Sequence, residues 1–222
     1  MKAGYNIGNQ VYLHLSEPNM VDTGLDYLNS IERQRAGRFQ SIQDRRLYVA
    51  AHVFLRQVLS RYTTLYPEEW RFSTGEYGKP AVSNRGMESL KFSLSHTHGL
   101  LACAVSWQQT VGVDIEQPLP LKNFRALCQT VLSNNEMTEV LAGRDSMEQE
   151  RRFYTYWTLK EAYVKALGCG FAAPVQRMNC VRLSEQQWSM QHDEEEGGVI
   201  HPPVTLMSRY CTNGYPLAVA VI

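Results

Sequence analysis

The sequence predicts an α+β chain built as two α/β halves, residues 1–108 and 109–222. Three observations predict it. The 222 residues are 44% hydrophobic, enough to bury one large core or two small ones. A strand, a long helix and three short strands occupy the first half, and a second set of helices followed by strands occupies the rest. The last two strands are joined by Asn213-Gly214, a strong hairpin signal.

The elements follow in chain order. Val11, Leu13 and Leu15 alternate with Tyr12 and His14, which predicts a half-buried strand over Gln10–Leu15. From Asp44 to Tyr62 the apolar residues Leu47, Val49, Ala50, Val53, Phe54, Val58 and Leu59 recur at helical spacing without Gly or Pro, and Pro67 closes the segment. This is read as the long first helix. Gly75, Gly78, Pro80 and Gly86 break any period between Arg71 and Gly86, so Glu76-Tyr77-Gly78-Lys79-Pro80 belongs on a loop. Lys91–Leu94, Leu100–Trp107 and Val111–Glu116 read as short strands.

In the second half, helices are expected over Asn123–Leu132, over Asn134–Leu141 behind a capping box of Ser133 and Glu136, and over Gln149–Leu167 ended by Gly168. Strands at Asn179–Leu183, Val204–Cys211 and Pro216–Ile222 complete the chain. The acidic run Asp193–Glu196 before Gly197-Gly198 is expected at an exposed loop tip, because clustered like charges need water.

Composition excludes several functions. Lys+Arg and Asp+Glu number 22 each, so the formal charge is zero and a general nucleic-acid binder, which is usually basic, is disfavoured. No window approaches 18 uninterrupted apolar residues, and Met1–Gln10 lacks the apolar core of a signal peptide, so a cytoplasmic protein away from membranes is expected. Cys103, Cys128, Cys169, Cys180 and Cys211 are widely spaced and never form C-x-x-C, which fits packing thiols in a reducing compartment.

Chemistry concentrates in a few places. Asp114 and Glu116 are two apart on a strand and share one face, while Val113 and Ile115 turn to the core. Phe153, Tyr156, Trp157, Val164 and Leu167 form an apolar arc on the last helix, with Lys160 and Glu161 within or beside it. Glu161 and Lys165 could be an ordinary i,i+4 surface pair, worth about 0.3–0.5 kcal/mol. Joined to Asp114 and Glu116, however, Glu161 makes a three-carboxylate set suited to Mg²⁺, with a substrate phosphate and water completing the shell. Donors for a phosphate are Lys79 on its loop, the Ser95-His96 pair and Lys165. Arg33, Arg35, Arg38, Arg45, Arg46, Arg56 and Arg61 form a local basic region, most of it expected to be a solvated helix face. His96 and His98 could hold a transition metal but lack a third ligand at a persuasive spacing, so zinc ranks behind magnesium.

Taken together, Tyr77-Gly78-Lys79-Pro80, Phe92-Ser93-Leu94-Ser95-His96, Gly112-Val113-Asp114-Ile115-Glu116 and Trp157-Thr158-Leu159-Lys160-Glu161-Ala162-Tyr163-Val164-Lys165, with Gly168 and Gly170, resemble the ordered motifs of the 4′-phosphopantetheinyl transferases. The likeness is to the surfactin-synthetase-activating type and spans roughly Arg33–Pro174. It implies two similar α/β halves related by a pseudo-twofold axis, each with a small, mainly antiparallel sheet packed on helices, and an active site in the cleft between them. It implies coenzyme A as substrate, an apo acyl or peptidyl carrier protein as partner, a monomer, and Mg²⁺, with Mn²⁺ as an alternative ion. Asp114, Glu116 and Glu161 match the metal ligands. Arg35, Lys79, Pro80, Ser95, His96, Asp114 and Lys165 match coenzyme-binding positions. Leu47 and His52 stand where many members carry arginine, with Arg45 or Arg46 as substitutes. Glu161 leads as the base that takes the serine proton, with Lys160 or Glu116 behind it, and Lys165 and His96 support the leaving oxygen. Two other readings use the same residues: a Mg²⁺-dependent nucleotide or diphosphate hydrolase, and a coenzyme A or carrier-binding module without catalysis.

Overall fold

The computed structural model describes residues 5–7, 10–20, 24–170, 173–192, 202–211 and 213–222. The run Asp193–Glu196 with Gly197-Gly198 lies outside the described residues. The first half contains β1 (Tyr5–Asn6), β2 (Val11–Ser16), α1 (Ser30–Ala36), α2 (Ile42–Leu59), β3 (Phe72–Thr74), β4 (Pro80–Val82), β5 (Leu90–His96) and β6 (Leu101–Trp107). The second contains β7 (Val111–Ile115), α3 (Phe124–Val131), α4 (Asn134–Leu141), α5 (Ser146–Leu167), β8 (Met178–Arg182), β9 (Gln187–His192), β10 (Thr205–Tyr210) and β11 (Pro216–Val221).

The halves share an outline. The larger sheets run in the orders β1-β2-β6-β5 and β7-β11-β10-β9-β8, and β3 and β4 form a separate two-stranded pair. In each half a leading strand is followed by helices, then pairs with the half's last strand, which pairs in turn with the one before it: β2-β6-β5 and β7-β11-β10, all antiparallel. A long helix covers one face of each sheet. Leu101, Cys103 and Val105 of β6 pack with Leu47, Phe54, Val58 and Leu59 of α2, while Ala218 and Ala220 of β11 pack with Leu159, Ala162 and Ala166 of α5. The opposite sheet faces meet each other: Val11, Leu13, Ala102 and Ala104 lie against Val113, Ile115, Leu217 and Val219. The layer order is helix, sheet, sheet, helix, which buries both faces of each sheet.

That layering corrects part of the sequence reading. His14, expected on a wet face of β2, is buried, and its Nε2 lies 2.6 Å from the Tyr62 hydroxyl, because the second face is covered too. The helix over Asp44–Tyr62 is not the first: α1 precedes it, started by a capping box between Asn29 and Glu32. It also runs earlier than expected, from a Ser41 cap to Leu59. The stretch assigned to a loop is the turn of the β3–β4 hairpin, with Gly78 at φ +86° and Pro80 as the first residue of β4. The Ser133–Glu136 capping box, the Gly168 terminator at φ +75° and the β10–β11 hairpin are present as expected. All five cysteines are free. Among the described residues no helix is long and apolar enough to cross a membrane.

Candidate active site

β7 is the edge of the second sheet, so amides on its open side need partners from elsewhere. Two serines of β5 supply them. Val113 N–H donates to Ser93 Oγ at 3.0 Å and Ile115 N–H to Ser95 Oγ at 3.3 Å, which seams the two halves together. On the other side β7 lies tightly under α5: a β-carbon on Gly112 would fall 1.9 Å from the Ala162 carbonyl oxygen. Only glycine permits that approach, and it brings Asp114 beneath Lys165.

Asp114 is the centre of what results. Its carboxylate, only 3% exposed, accepts on Oδ1 from Lys165 Nζ at 2.6 Å and from Ser95 Oγ at 3.0 Å, while Lys165 Nζ also donates to Ser95 Oγ at 3.1 Å. Oδ2 is buried with no hydrogen-bond partner. Glu116, one residue past β7, is half-buried and accepts from Trp157 Nε1 at 2.9 Å. Glu161 is half-buried one turn before Lys165 on α5. The expected alternation along β7 holds, but the face carrying Asp114 is covered by α5 rather than wet.

The electrostatics agree. Burial raises the Glu116 carboxyl and Asp114 raises it further, against the Trp157 hydrogen bond and Lys165. Burial likewise raises Glu161, with Asp114 and Glu116 adding repulsion and Lys165 opposing it. Three carboxylates thus sense one another around one lysine. Among the described residues no three His, Cys, Asp or Glu groups stand as a finished metal cage. The donor set still fits a hard cation, because an orphaned buried carboxylate oxygen between two destabilised carboxylates is what such an ion would satisfy.

His96, at the end of β5, stays neutral: although part of its side chain is exposed, desolvation lowers it to about 4, reinforced by His52, Lys165 and His98 nearby. His52 is held through Nδ1 by Glu32 at 3.0 Å, and its ring lies tilted against Tyr48 with centroids 4.1 Å apart. Arg35, exposed on α1, stands 5.7 Å over the same Tyr48 ring. A string Arg35, Tyr48, His52, His96 therefore leads from α1 to the carboxylates. Glu32, Tyr48 and Trp157 were not foreseen as parts of the site; the Asn29-x-x-Glu32 capping pattern was the available signal for the first.

Other candidates are placed differently. Lys160 is fully buried away from the carboxylates, pairing with Glu136 and donating to the carbonyls of Val131 at 2.9 Å and Val175 at 2.7 Å. Its expected role as a reserve base is corrected, since about 100° of helix rotation separates it from Glu161. Lys79 Nζ contacts the Ala166 and Val111 carbonyls. Pro80 is exposed on the hairpin, and Arg45 and Arg46 are half-buried at the start of α2. Arg56, counted with the basic surface, is instead buried on Glu32 and on the carbonyls of Pro67 and Trp70. Leu47 is packed in the core under α2.

A carboxylate centre with a lysine, a serine and a histidine held neutral by burial, at the seam of two α/β halves, carries donors suited to a hard cation and a phosphate. Comparison with known proteins makes this specific. The family model described as "4'-phosphopantetheinyl transferase, N-terminal" matches residues 17–108, and that of the "4'-phosphopantetheinyl transferase superfamily" matches residues 110–220. The 4′-phosphopantetheinyl transferase HetI of Nostoc sp. is 36% identical over 146 residues, 65% of this chain and 61% of that protein. The 4′-phosphopantetheinyl transferase Sfp of Bacillus subtilis is 28% identical over 195 residues, 88% of this chain and 82% of that protein. Among solved structures, holo-[acyl-carrier-protein] synthase of Thermotoga maritima aligns over 50% of this chain and 61% of that one at 18% identity and a TM-score of 0.38. The chain belongs to the 4′-phosphopantetheinyl transferase superfamily, whose enzyme class is transferase.

Proposed function

We propose that the chain transfers the 4′-phosphopantetheine group of coenzyme A to a serine of an apo acyl or peptidyl carrier protein, releasing adenosine 3′,5′-bisphosphate. The observation that carries the proposal is Asp114: buried, one oxygen held by Lys165 and Ser95, the other without a partner, and flanked by Glu116 and Glu161. Asp114, Glu116 and Glu161 would hold Mg²⁺, or Mn²⁺ in its place. Bound there, the ion offsets the charge of the diphosphate.

The chain's own residues do the rest. In this reading the carrier serine hydroxyl attacks the β-phosphorus; the phosphoanhydride bond to the bisphosphate breaks as the new phosphodiester forms. Lys165, already beside Asp114 Oδ1, lies where its ammonium can meet charge building on the leaving oxygen. Ser95 and His96 end β5 at the same place and offer hydroxyl and imidazole donors to phosphate. Glu161 is the group that takes the serine proton in this reading, directly or through a water. Arg35, with Arg45 or Arg46, would meet the 3′-phosphate. Residues 1–108 and 109–222 act as the two walls of the cleft in a cytoplasmic monomer.

Intact mass of an apo carrier after incubation with coenzyme A and the purified protein tests this. A gain of one phosphopantetheine unit that needs Mg²⁺, and that falls by about 100-fold or more in Asp114→Asn, is the expected result. No gain with any carrier class, with coenzyme A left intact, would overturn it.

A further inference from the structure

The two halves also meet where their equivalent hairpin tips touch. The β5–β6 turn, residues 97–100, is closed by Thr97 N–H donating to the Leu100 carbonyl at 2.9 Å and Leu100 N–H to the Thr97 carbonyl at 3.4 Å. It follows His96 directly, and His96 pairs with Leu101 as the last rung of the β5–β6 ladder. In the β10–β11 hairpin Cys211 N–H donates to the Tyr215 carbonyl at 2.8 Å, which fixes Tyr215 at the tip. A β-carbon on Gly99 would stand 2.1 Å from the Tyr215 hydroxyl oxygen, 2.8 Å from Cζ and 3.5 Å from Cε1. All three atoms belong to that one side chain, and Gly99 does not have the left-handed φ that would itself demand glycine. The space over Gly99 is taken by Tyr215, not forbidden by the backbone.

Tyr215 and Pro216 reach both sides of the seam. The Pro216 carbonyl accepts from Glu116 N–H at 3.1 Å, so the hairpin is tied to the backbone of one of the carboxylates. The half-buried Tyr215 ring packs on the cluster that includes Leu100, Ile115 and Leu217, and its hydroxyl end lies over Gly99. Ile115 N–H is held in turn by Ser95, one residue before His96. The turn's tie to α2 is weaker: His98 Nε2 lies 3.4 Å from Asp44 Oδ1, with both side chains about half exposed and the pair screened by water. Ladder bonds hold β5 as far as His96, and beyond it the turn rests on the Tyr215 side chain.

We propose that Tyr215 is a positioning residue: from the end of β7, where Pro216 holds Glu116, its ring bears on Gly99 and so sets where His96 stands relative to Glu116 and Lys165. A displacement of about 1 Å in a site costs on the order of 100-fold in rate, so a ring that fixes this turn acts on catalysis without touching substrate. The kinetic consequence rests on the transferase reading; the contact itself belongs to the free protein.

Three variants are compared with wild type: Tyr215→Ala removes the ring, Tyr215→Phe keeps it without the hydroxyl, and Gly99→Ala forces the turn away from it. The readouts are the His96 ring signals by NMR in the protein without coenzyme, the coenzyme A dissociation constant by calorimetry, and steady-state transfer with the carrier varied. Positioning predicts that Tyr215→Ala and Gly99→Ala both move the His96 signals and lower kcat by about tenfold or more, with the carrier KM within about threefold of wild type. Tyr215→Phe keeps kcat within about threefold of wild type, because Cζ still backs the turn. Adding Gly99→Ala to Tyr215→Ala lowers kcat by less than about twofold further, since the atoms it would meet are gone; independent effects would multiply. In Tyr215→Ala, unmoved His96 signals with carrier KM raised about tenfold, or with coenzyme A bound about tenfold more weakly, would make Tyr215 a direct substrate contact and overturn the proposal. Wild-type kcat in Tyr215→Ala, or full multiplication in the double variant, would overturn it as well. If Tyr215→Ala does not fold, Gly99→Ala decides: a tenfold loss of kcat with moved His96 signals supports positioning, and wild-type turnover or unmoved signals refute it. If wild type itself transfers nothing, the transferase reading fails, while the His96 signals still judge the contact.

Discussion

Glu32 illustrates how much a single buried side chain organises. It caps α1 through the Asn29 N–H, holds His52 by its Nδ1 and pairs with the buried Arg56. Burial alone would raise its carboxyl, but the hydrogen bonds from His52 and Asn29 and the Arg56 charge outweigh it and bring it from 4.5 down to about 2. Between those values the unfolded chain holds the proton and the folded one does not, so stability rises with pH there. The contribution, roughly 3 kcal/mol, is complete above about pH 4.5 and lost as the pH falls toward 2. Urea midpoints across that range should show a shallower slope for Glu32→Gln than for wild type. Trp157 acts at the same scale. Trp157→Phe keeps the ring stack with Phe153 but loses the N–H to Glu116. About tenfold more Mg²⁺ should then be needed for half-maximal transfer, with thermal stability little changed. In sequence Trp157 is simply one member of an apolar arc, and Glu32, beyond its Asn29-x-x-Glu32 capping pattern, is one acid among arginines.

At the scale of elements, the contact of β7 with α5 decides whether a site exists. Gly112 lets the strand approach until the Ala162 carbonyl and the Ala166 amide fill the space a β-carbon would occupy. Gly112→Ala must push the two apart. We expect a loss of about 1–3 kcal/mol in chemical denaturation, together with a fall in transfer larger than that loss explains, because Asp114 and Lys165 separate with their elements. The motif around Asp114 was legible in sequence, as were α4, α5 and the final hairpin, because caps, terminators and turn residues act locally. β9 was not. Within Gln187–His192 only Trp188 is buried, so no period of two is written there; β8 and β10 on either side define the strand.

Across the whole molecule, the halves are joined by a shared core rather than a linker. Val11, Leu13, Ala102 and Ala104 of the first sheet are buried only because Val113, Leu217 and Val219 of the second lie against them. The two halves should therefore unfold together: native-state hydrogen exchange should give β6 and β11 amides one common opening free energy, and two separate values would show independent units. By itself the sequence determined the types of the longer elements, though not α1, β3, β4 or β9, and singled out the carboxylates, lysine and serine that meet at the seam, since periodicity, capping and motif spacing are properties of neighbouring residues. Tertiary structure alone decided that Asp114 is buried with one oxygen free, that Lys160 turns away into a pair with Glu136, and that Lys79 reaches the end of α5. Those outcomes depend on which faces are covered when two sheets close on each other, and no local pattern carries that information.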